Sequence, residues 1–266
     1  MRAQLNIAVR AARAAGDLMV RHMARGDATK VIKKDTHDYV TQIDRAAEQV
    51  IIDQILQAYP DHAILGEEYG KSGNPDSDYQ WIIDPLDGTT NFIHRNPQFA
   101  VSIAMRYKNT LEVAVVYDPM RQELFTAVRG EGALLDGKKI RVSQARDLSN
   151  GLVGTGFPFR DFVYLDNYMD MFKKVVKNTA GVRRPGSAAL DLAWLAAGRL
   201  DAFWEMNLQS WDIAAGALLI KEAGGMVGDI NGGALDLERG HIVAGNARTM
   251  PALLKMIAPH VPEALR

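Results

Sequence analysis

A chain of 266 residues, 47% hydrophobic and 24% charged, is long enough to bury a large core as one domain or two closely fused halves, and its composition is that of an ordinary globular protein. A formal net charge of -1 gives no global reason to expect nucleic acid. The absence of cysteine excludes disulfides, thiolate zinc sites and iron-sulfur ligation, so any metal must take oxygen or imidazole ligands. That absence fits a reducing cytoplasm. Interspersed arginines in the first 25 residues do not suit a secretory signal, and no apolar run approaches a membrane span. A soluble, cytoplasmic protein with no membrane partner is the expectation.

Leu5, Ala8, Val9, Ala12, Ala15 and Met19 recur at helical spacing opposite Arg2, Arg10, Arg13 and Arg21, which predicts an amphipathic first helix. A short β excursion over 29–34, then Asp38-Tyr39-Val40-Thr41, leads into a second helix over about 42–58, ended by Tyr59-Pro60-Asp61-His62. Residues 63–65 read as a strand running into Gly66-Glu67-Glu68, and the Gly/Ser/Asn/Pro/Asp-rich stretch 70–78 as a surface loop. Trp81-Ile82-Ile83 reads as a short buried strand stopped by Pro85 and Gly88, with Thr89-Thr90 opening a helix. From 99 to 128 the pattern is three β segments separated at Lys108-Asn109 and 118–121, followed by a hairpin-like turn over 130–139. After about 149, short strands (152–155, 201–204, 226–228, 242–244) alternate with helices (about 164–177, 187–197, 213–223, 249–258). The expected organisation is a single unit, 1–266, with an antiparallel N-terminal half (1–148) and an α/β C-terminal half (149–266) sharing an interface.

The most informative stretch is Asp84-Pro85-Leu86-Asp87-Gly88-Thr89-Thr90-Asn91-Phe92. Pro presets its own φ and Gly accepts a positive one, so the turn lets Asp84 and Asp87 converge. Backbone N–H groups at a helix start at Thr89 and Thr90 would attract an anion. Hard oxygen ligands beside anion donors point to magnesium and phosphate. Elsewhere, Glu67-Glu68 leaves a strand and Trp211-Asp212 precedes the apolar run Ile213-Ala214-Ala215-Gly216-Ala217-Leu218-Leu219-Ile220. Each acid has an ordinary reading: an N-cap for Asp212, a turn residue for Asp84, an Asx-turn acceptor for Asp87, a solvated loop for Glu67. Together they fit one crevice where phosphate hydrolysis uses two divalent ions.

Three motifs, Gly66-Glu67-Glu68, Asp84 to Phe92, and Trp211-Asp212 with its apolar helix and Glu222-Ala223-Gly224-Gly225, make the chain resemble the inositol monophosphatase family of magnesium-dependent, lithium-sensitive phosphatases over nearly its whole length. The resemblance implies a mixed α/β fold, a five-layer α-β-α-β-α sandwich. It implies two or three Mg2+ ions per subunit, one held by Glu67, Asp84 and the Leu86 carbonyl, a second between Asp84, Asp87 and Asp212, and a weaker third near Glu67. Thr89 would orient the attacking water with Asp44 accepting from its hydroxyl, although Asp44 also suits helix-start electrostatics. The Gly88 and Thr89 amides would hold the phosphate, with the leaving oxygen near Asp212. Asp87, the Gly186-Ser187-Ala188 segment and Glu205 would meet a sugar-like ring, although Ser187-Ala188 also reads as a simple helix start. Lys33 aligns with a family lysine near the metals, or belongs to a solvated face with Lys30 and Lys34.

Gly154-Thr155-Gly156-Phe157-Pro158 either lines the site or forms a turn. His94, His37 and His62 read as solvated loop residues, and Trp194 and Met206 as core or subunit-interface residues. The implied activity is hydrolysis of a small-molecule phosphate monoester, myo-inositol-1-phosphate, by a homodimer. Fructose-1,6-bisphosphate and adenosine bisphosphate are the alternative substrates. The chain is also similar to the bacterial SuhB type within that family, which implies transcription antitermination through RNA polymerase or Nus factors. Arg183-Arg184-Pro185, beside the apolar helix 188–194, would then serve a dimer or partner contact, or be only a structural junction.

Overall fold

The computed structural model describes residues 1–25, 31–35, 38–158 and 162–266, with side chains described throughout except in 31–35 and 38–41. The first half runs α1 (Arg2–Arg25), β1 (Val31–Asp35), β2 (Asp38–Thr41), α2 (Gln42–Ala58), β3 (Ala63–Gly66), β4 (Gly70–Gly73), β5 (Tyr79–Asp87) and α3 (Thr89–Ile93). It continues through β6 (Ala100–Tyr107), β7 (Thr110–Asp118), β8 (Glu123–Val128), β9 (Gly132–Leu135) and β10 (Lys138–Lys139). The second half adds β11 (Leu152–Thr155), α4 (Leu165–Val176), β12 (Gly181–Arg183), α5 (Ala188–Ala196), β13 (Ala202–Glu205), α6 (Ser210–Glu222), β14 (Met226–Gly228), β15 (Ile242–Gly245) and α7 (Thr249–Ile257). No helix among the described residues is long and apolar enough to cross a membrane.

An eight-stranded sheet has the order β10-β9-β8-β7-β6-β5-β3-β4, and a five-stranded sheet the order β12-β11-β13-β15-β14. The larger is antiparallel except for β3 beside β5. In the smaller, β11 runs parallel to both β12 and β13, and the remaining pairs are antiparallel. Three apolar clusters separate five layers. The first lies under α1 and α2, where Ala8, Ala11, Ala12, Ala15 and Met19 meet Trp81, Ile83 and Val115. The second holds α5 and α6 between the two sheets, and the third packs α4 and α7 on the outer face of the smaller sheet. Helix α6 is buried from Ile213 through Ile220 because it faces a sheet on either side, which explains its lack of amphipathic period. Each fully buried Leu or Ile there contributes roughly 1.5–3 kcal/mol.

The α-β-α-β-α sandwich is thus present. Four local readings are corrected. The stretch 70–78 is not all loop, since Gly70–Gly73 pairs with β3 as an edge strand. Strand β5 is not stopped by Pro85. It continues to Asp87 through a register shift between Asp84 and Asp87, a bulge that accommodates the missing proline N–H. Helix α6 begins at Ser210, so Asp212 is its third residue and Gln209 the N-cap. His62 is buried, stacked between the rings of Tyr59 and Tyr79, and its Nδ1 accepts from Trp81 Nε1 at 3.0 Å. Strand β12 was not anticipated; its three residues carry no period of their own and pair only because β11 offers an edge. Trp194 and Met206 pack inside, Met206 fully and Trp194 partly beneath Arg121, and His94 is exposed. His37 and the side chain of Lys33 lie outside the described residues; Lys33 belongs to β1.

Candidate active site

Strands β3 and β5 are parallel, with Gly66 beside Ile83, so the end of β3 sets Glu67 next to Asp84 while β5 runs on to Asp87. The Glu67 amide donates to the Ile83 carbonyl at 3.1 Å, which continues that alignment one residue past the strand. Asp84 lies opposite Ser102 on β6, and the Ser102 hydroxyl donates to the Trp211 carbonyl at 3.0 Å. One strand position therefore anchors the first turn of α6 against the sheet, bringing Asp212 to Asp84. The carboxylates of Asp84, Asp87 and Asp212 present ligand atoms all within 4.8 Å of one another.

Each carboxylate has one edge fixed by the fold. Asp84 Oδ1 accepts from the Leu86 amide at 2.9 Å, and Asp212 Oδ2 from the Gln209 amide at 2.7 Å, so Asp212 supplies the N3 half of a capping box and is not the N-cap expected from the sequence. Asp87 Oδ2 accepts from the Ser187 hydroxyl at 2.6 Å and the Ala189 amide at 2.7 Å, which ties the turn to the N-terminus of α5. Ser187 is the residue before that helix, but its hydroxyl serves Asp87 and makes no cap bond.

Burial, followed by the charges of Glu67, Asp87 and Asp212, pushes the Asp84 carboxyl well above the usual carboxylate range, and a hydrogen bond with Glu67 adds to the effect. Burial and then Asp212 push Asp87 up to about 7, against the opposing pull of Ser187 and the amides of Ala189 and Ala188. Several carboxyls held this close favour sharing protons or a cation. All-oxygen donors of this charge suit a hard divalent ion. The donor set therefore fits a metal.

Gly88 leads into α3 with φ 98, and a β-carbon there would meet the Gln98 carbonyl oxygen at 2.9 Å and that of Gly186 at 3.2 Å. Only glycine suits this turn. The first-turn amides of α3 lie beyond it without intrahelical acceptors. The Thr89 hydroxyl has one proton and two acceptors, Asp44 Oδ1 at 3.0 Å and the Leu86 carbonyl at 3.2 Å. With that proton directed into the protein, its lone pairs remain to accept from a water.

These groups line one cavity of about 790 Å³, together with residues 155–158, Ala188 and Glu205. The 154–158 segment thus belongs largely to the site wall. Asp44 touches the cavity only through Thr89. Glu205 ends β13 of the smaller sheet and is buried at the cavity.

Three supporting roles escaped the sequence reading, one of them that of Asn91 within the quoted motif. Glu48, fully buried on α2, accepts from the Glu68 and Tyr69 amides, both at 2.8 Å, and so shapes the turn that carries Glu67. A β-carbon on Gly66 would strike its carboxylate. The available signal was a glutamate four residues after Asp44, on the face of α2 that carries Ile43, Ala47, Ile51 and Ile55. Asn91 Nδ2 donates to the Gln98 carbonyl at 2.7 Å and that of Pro185 at 3.0 Å, holding the two halves together beside Gly88. Asp191, on α5, also lines the cavity; a carboxylate within an apolar helix was its signal.

Comparison with known proteins places this arrangement in context. A Nus factor SuhB of Pseudomonas aeruginosa is 57% identical over 270 residues, covering all of both chains. The crystal structure of extragenic suppressor protein suhB from Bartonella henselae superposes with a TM-score of 0.92 at 41% identity, covering 98% of this chain and 99% of that one. The structure of an inositol monophosphatase from Anabaena does so with a TM-score of 0.83 at 37% identity, covering 98% and 97%. The model of the inositol monophosphatase family matches residues 1–266, which supports a metal-dependent phosphatase activity for the crevice. By that match and those identities, the chain belongs to the inositol monophosphatase family.

Proposed function

We propose that the protein is a magnesium-dependent phosphomonoester hydrolase acting on inositol monophosphate, converting myo-inositol-1-phosphate and water to myo-inositol and phosphate. The observation that carries this reading is the convergence of Asp84, Asp87 and Asp212 within 4.8 Å beside Glu67, at the mouth of a turn that presents backbone amides. Glu67, Asp84, the Leu86 carbonyl, Asp87 and Asp212 would hold two or three Mg2+ ions. When bound, these supply Lewis-acid activation of water and neutralise charge on the phosphoryl and leaving oxygens.

The protein's own groups do the positioning. The Gly88 and Thr89 amides receive the phosphate oxygens at a helix start. Thr89 accepts a hydrogen bond from the attacking water while its own proton points to Asp44 or Leu86. That orients the water's lone pair toward phosphorus for in-line displacement. Asp87, Ala188 and Glu205 face the hydroxylated leaving group, whose departing oxygen lies on the Asp212 side. Lys33 is proposed as a further substrate-binding residue, on its alignment with a family lysine.

Phosphate release by the purified protein, with magnesium and with a chelator, tests this. Inositol-1-phosphate is compared with fructose-1,6-bisphosphate and adenosine bisphosphate. Magnesium-dependent preference for the inositol ester is expected; chelator-insensitive release would refute the reading.

A second reading rests on the 57% identity to a protein named Nus factor SuhB. A cytoplasmic homodimer of single-unit subunits, halves 1–148 and 149–266, would contact RNA polymerase or Nus factors as a transcription antitermination factor. The exposed Arg183, on edge strand β12, together with Arg184-Pro185 supports a contact there. Lithium sensitivity is proposed on the family resemblance alone. Capture of RNA polymerase by an Asp84→Asn protein would uphold the second role, and no capture by the intact protein would remove it.

A further inference from the structure

We infer that Asp191 is a further specificity-determining residue, whose carboxyl takes a hydroxyl of a polyhydroxylated phosphomonoester in the cavity; the inference rests on the phosphomonoesterase reading. Asp191 lines the cavity yet is only 1% exposed, and its Oδ1 is buried without a hydrogen-bond partner among the described residues. It is the fourth residue of α5, and its neighbours Ala189, Leu190, Leu192 and Ala193 are buried and apolar. The amide of Ala189 already serves Asp87, and Asp191 forms no cap. An apolar side chain would therefore satisfy the packing, while a buried carboxyl oxygen left without a hydrogen bond is unfavourable in such a place. The ligand supplies what the fold omits.

The surroundings indicate which ligand. Glu205 and Asp87 are the nearby acids, and Arg184 is the nearby cation. Arg184 is held over the Phe157 ring, with 5.3 Å from guanidinium carbon to centroid. Burial, then Glu205 and Asp87, push the Asp191 carboxyl well above the usual range, while Arg184 pulls it back. A protonated carboxyl both donates and accepts, and so does an alcohol hydroxyl. Glu205 and Asp191 together suit neighbouring hydroxyls on a polyol, which an aryl ester lacks.

The test compares kcat/KM for inositol-1-phosphate and phenyl phosphate, with magnesium, in wild-type, Asp191→Leu and Asp191→Asn proteins, alongside their melting temperatures. The ratio of the two values is expected to fall by about 10-fold or more in Asp191→Leu, chiefly through KM, because a site built for a hydroxyl contact loses discrimination when that contact goes. Asp191→Asn, which keeps hydrogen-bonding capacity, falls between, and carries the test if the leucine variant does not fold. A ratio within about twofold of wild type in the folded variants would overturn the inference. So would equal losses on both esters with a lowered melting temperature, which is a structural role. Wild-type protein inactive on both esters would instead refute the phosphomonoesterase reading itself.

Discussion

The two walls of the cavity are built in different ways. One wall, with Asp84, Leu86, Asp87, Gly88 and Thr89, comes from a single turn six residues long, joined by Glu67 from just past the adjacent parallel strand and by Asp212 from the first turn of α6. The other, with Ala188, Asp191 and Glu205, comes from α5 and β13, about 100 residues later, and meets the first through Ser187 and Asn91. The first wall concentrates negative charge that only cations or protons relieve. The second holds Asp191 and Glu205 buried, with Asp191 set among apolar neighbours on α5. The proposed chemistry thus centres on one local turn completed by Glu67 and Asp212, and the proposed recognition on the junction of two halves.

Removing one carboxylate from the crowded wall should break the comparison most visibly. Asp84→Asn is expected to lower kcat by about 10³-fold or more, since a shared metal ligand is lost. The same variant should raise the melting temperature of the metal-free protein, because buried repulsion is relieved. A metal-free melting temperature below wild type would show that the repulsion has been misjudged. Next in size, Thr89→Val should lower kcat by about 10²-fold while leaving KM nearly unchanged, as expected for a group that orients the water. A change confined to KM would move Thr89 into binding alone.

The raised carboxyls give a pH signature. Asp87 titrates near 7 in the metal-free fold against an ordinary 3.8, so the folded protein holds protons that the unfolded chain has released. Its contribution to stability is complete below the ordinary value and is lost as pH rises through about 7. Magnesium competes with those protons, so the rise in melting temperature on adding it should grow from pH 5 to pH 8. A rise independent of pH would contradict this.

On the junction between the walls, Ser187→Ala should raise KM by several-fold and lower stability by about 1 kcal/mol, the usual net value of one hydrogen bond. Steady-state kinetics and denaturant unfolding measure both. The smallest effect belongs to His62, remote from either wall. Burial lowers its pKa while the acid Asp61 opposes, so the neutral ring accepting from Trp81 loses stability as pH falls below its ordinary 6.5. In Trp81→Phe this acid sensitivity should weaken.

The same contrast explains what was legible in the sequence. Asp84 to Thr89 could be read because turn chemistry, ligand type and spacing all lie within six residues. The antiparallel segments from 100 to 139 showed because their alternation and turns are local. Glu48 and Asn91 act on partners between seven and more than ninety residues away, and Asp191 Oδ1 has no hydrogen-bond partner among the described residues, so their roles could not be read from sequence period. His62 looked like a loop histidine because the rings that enclose it come from 59, 79 and 81. Pro85 looked like a strand end because a bulge cannot be seen until the partner strand is in place.

The central claim is that the crowded wall binds the cations used in hydrolysis. Calorimetric titration of magnesium into metal-free protein, wild type beside Asp84→Asn, tests it directly. The account predicts at least two sites per wild-type subunit and loss of magnesium binding at the shared position in the variant. Identical titrations for the two proteins would contradict it.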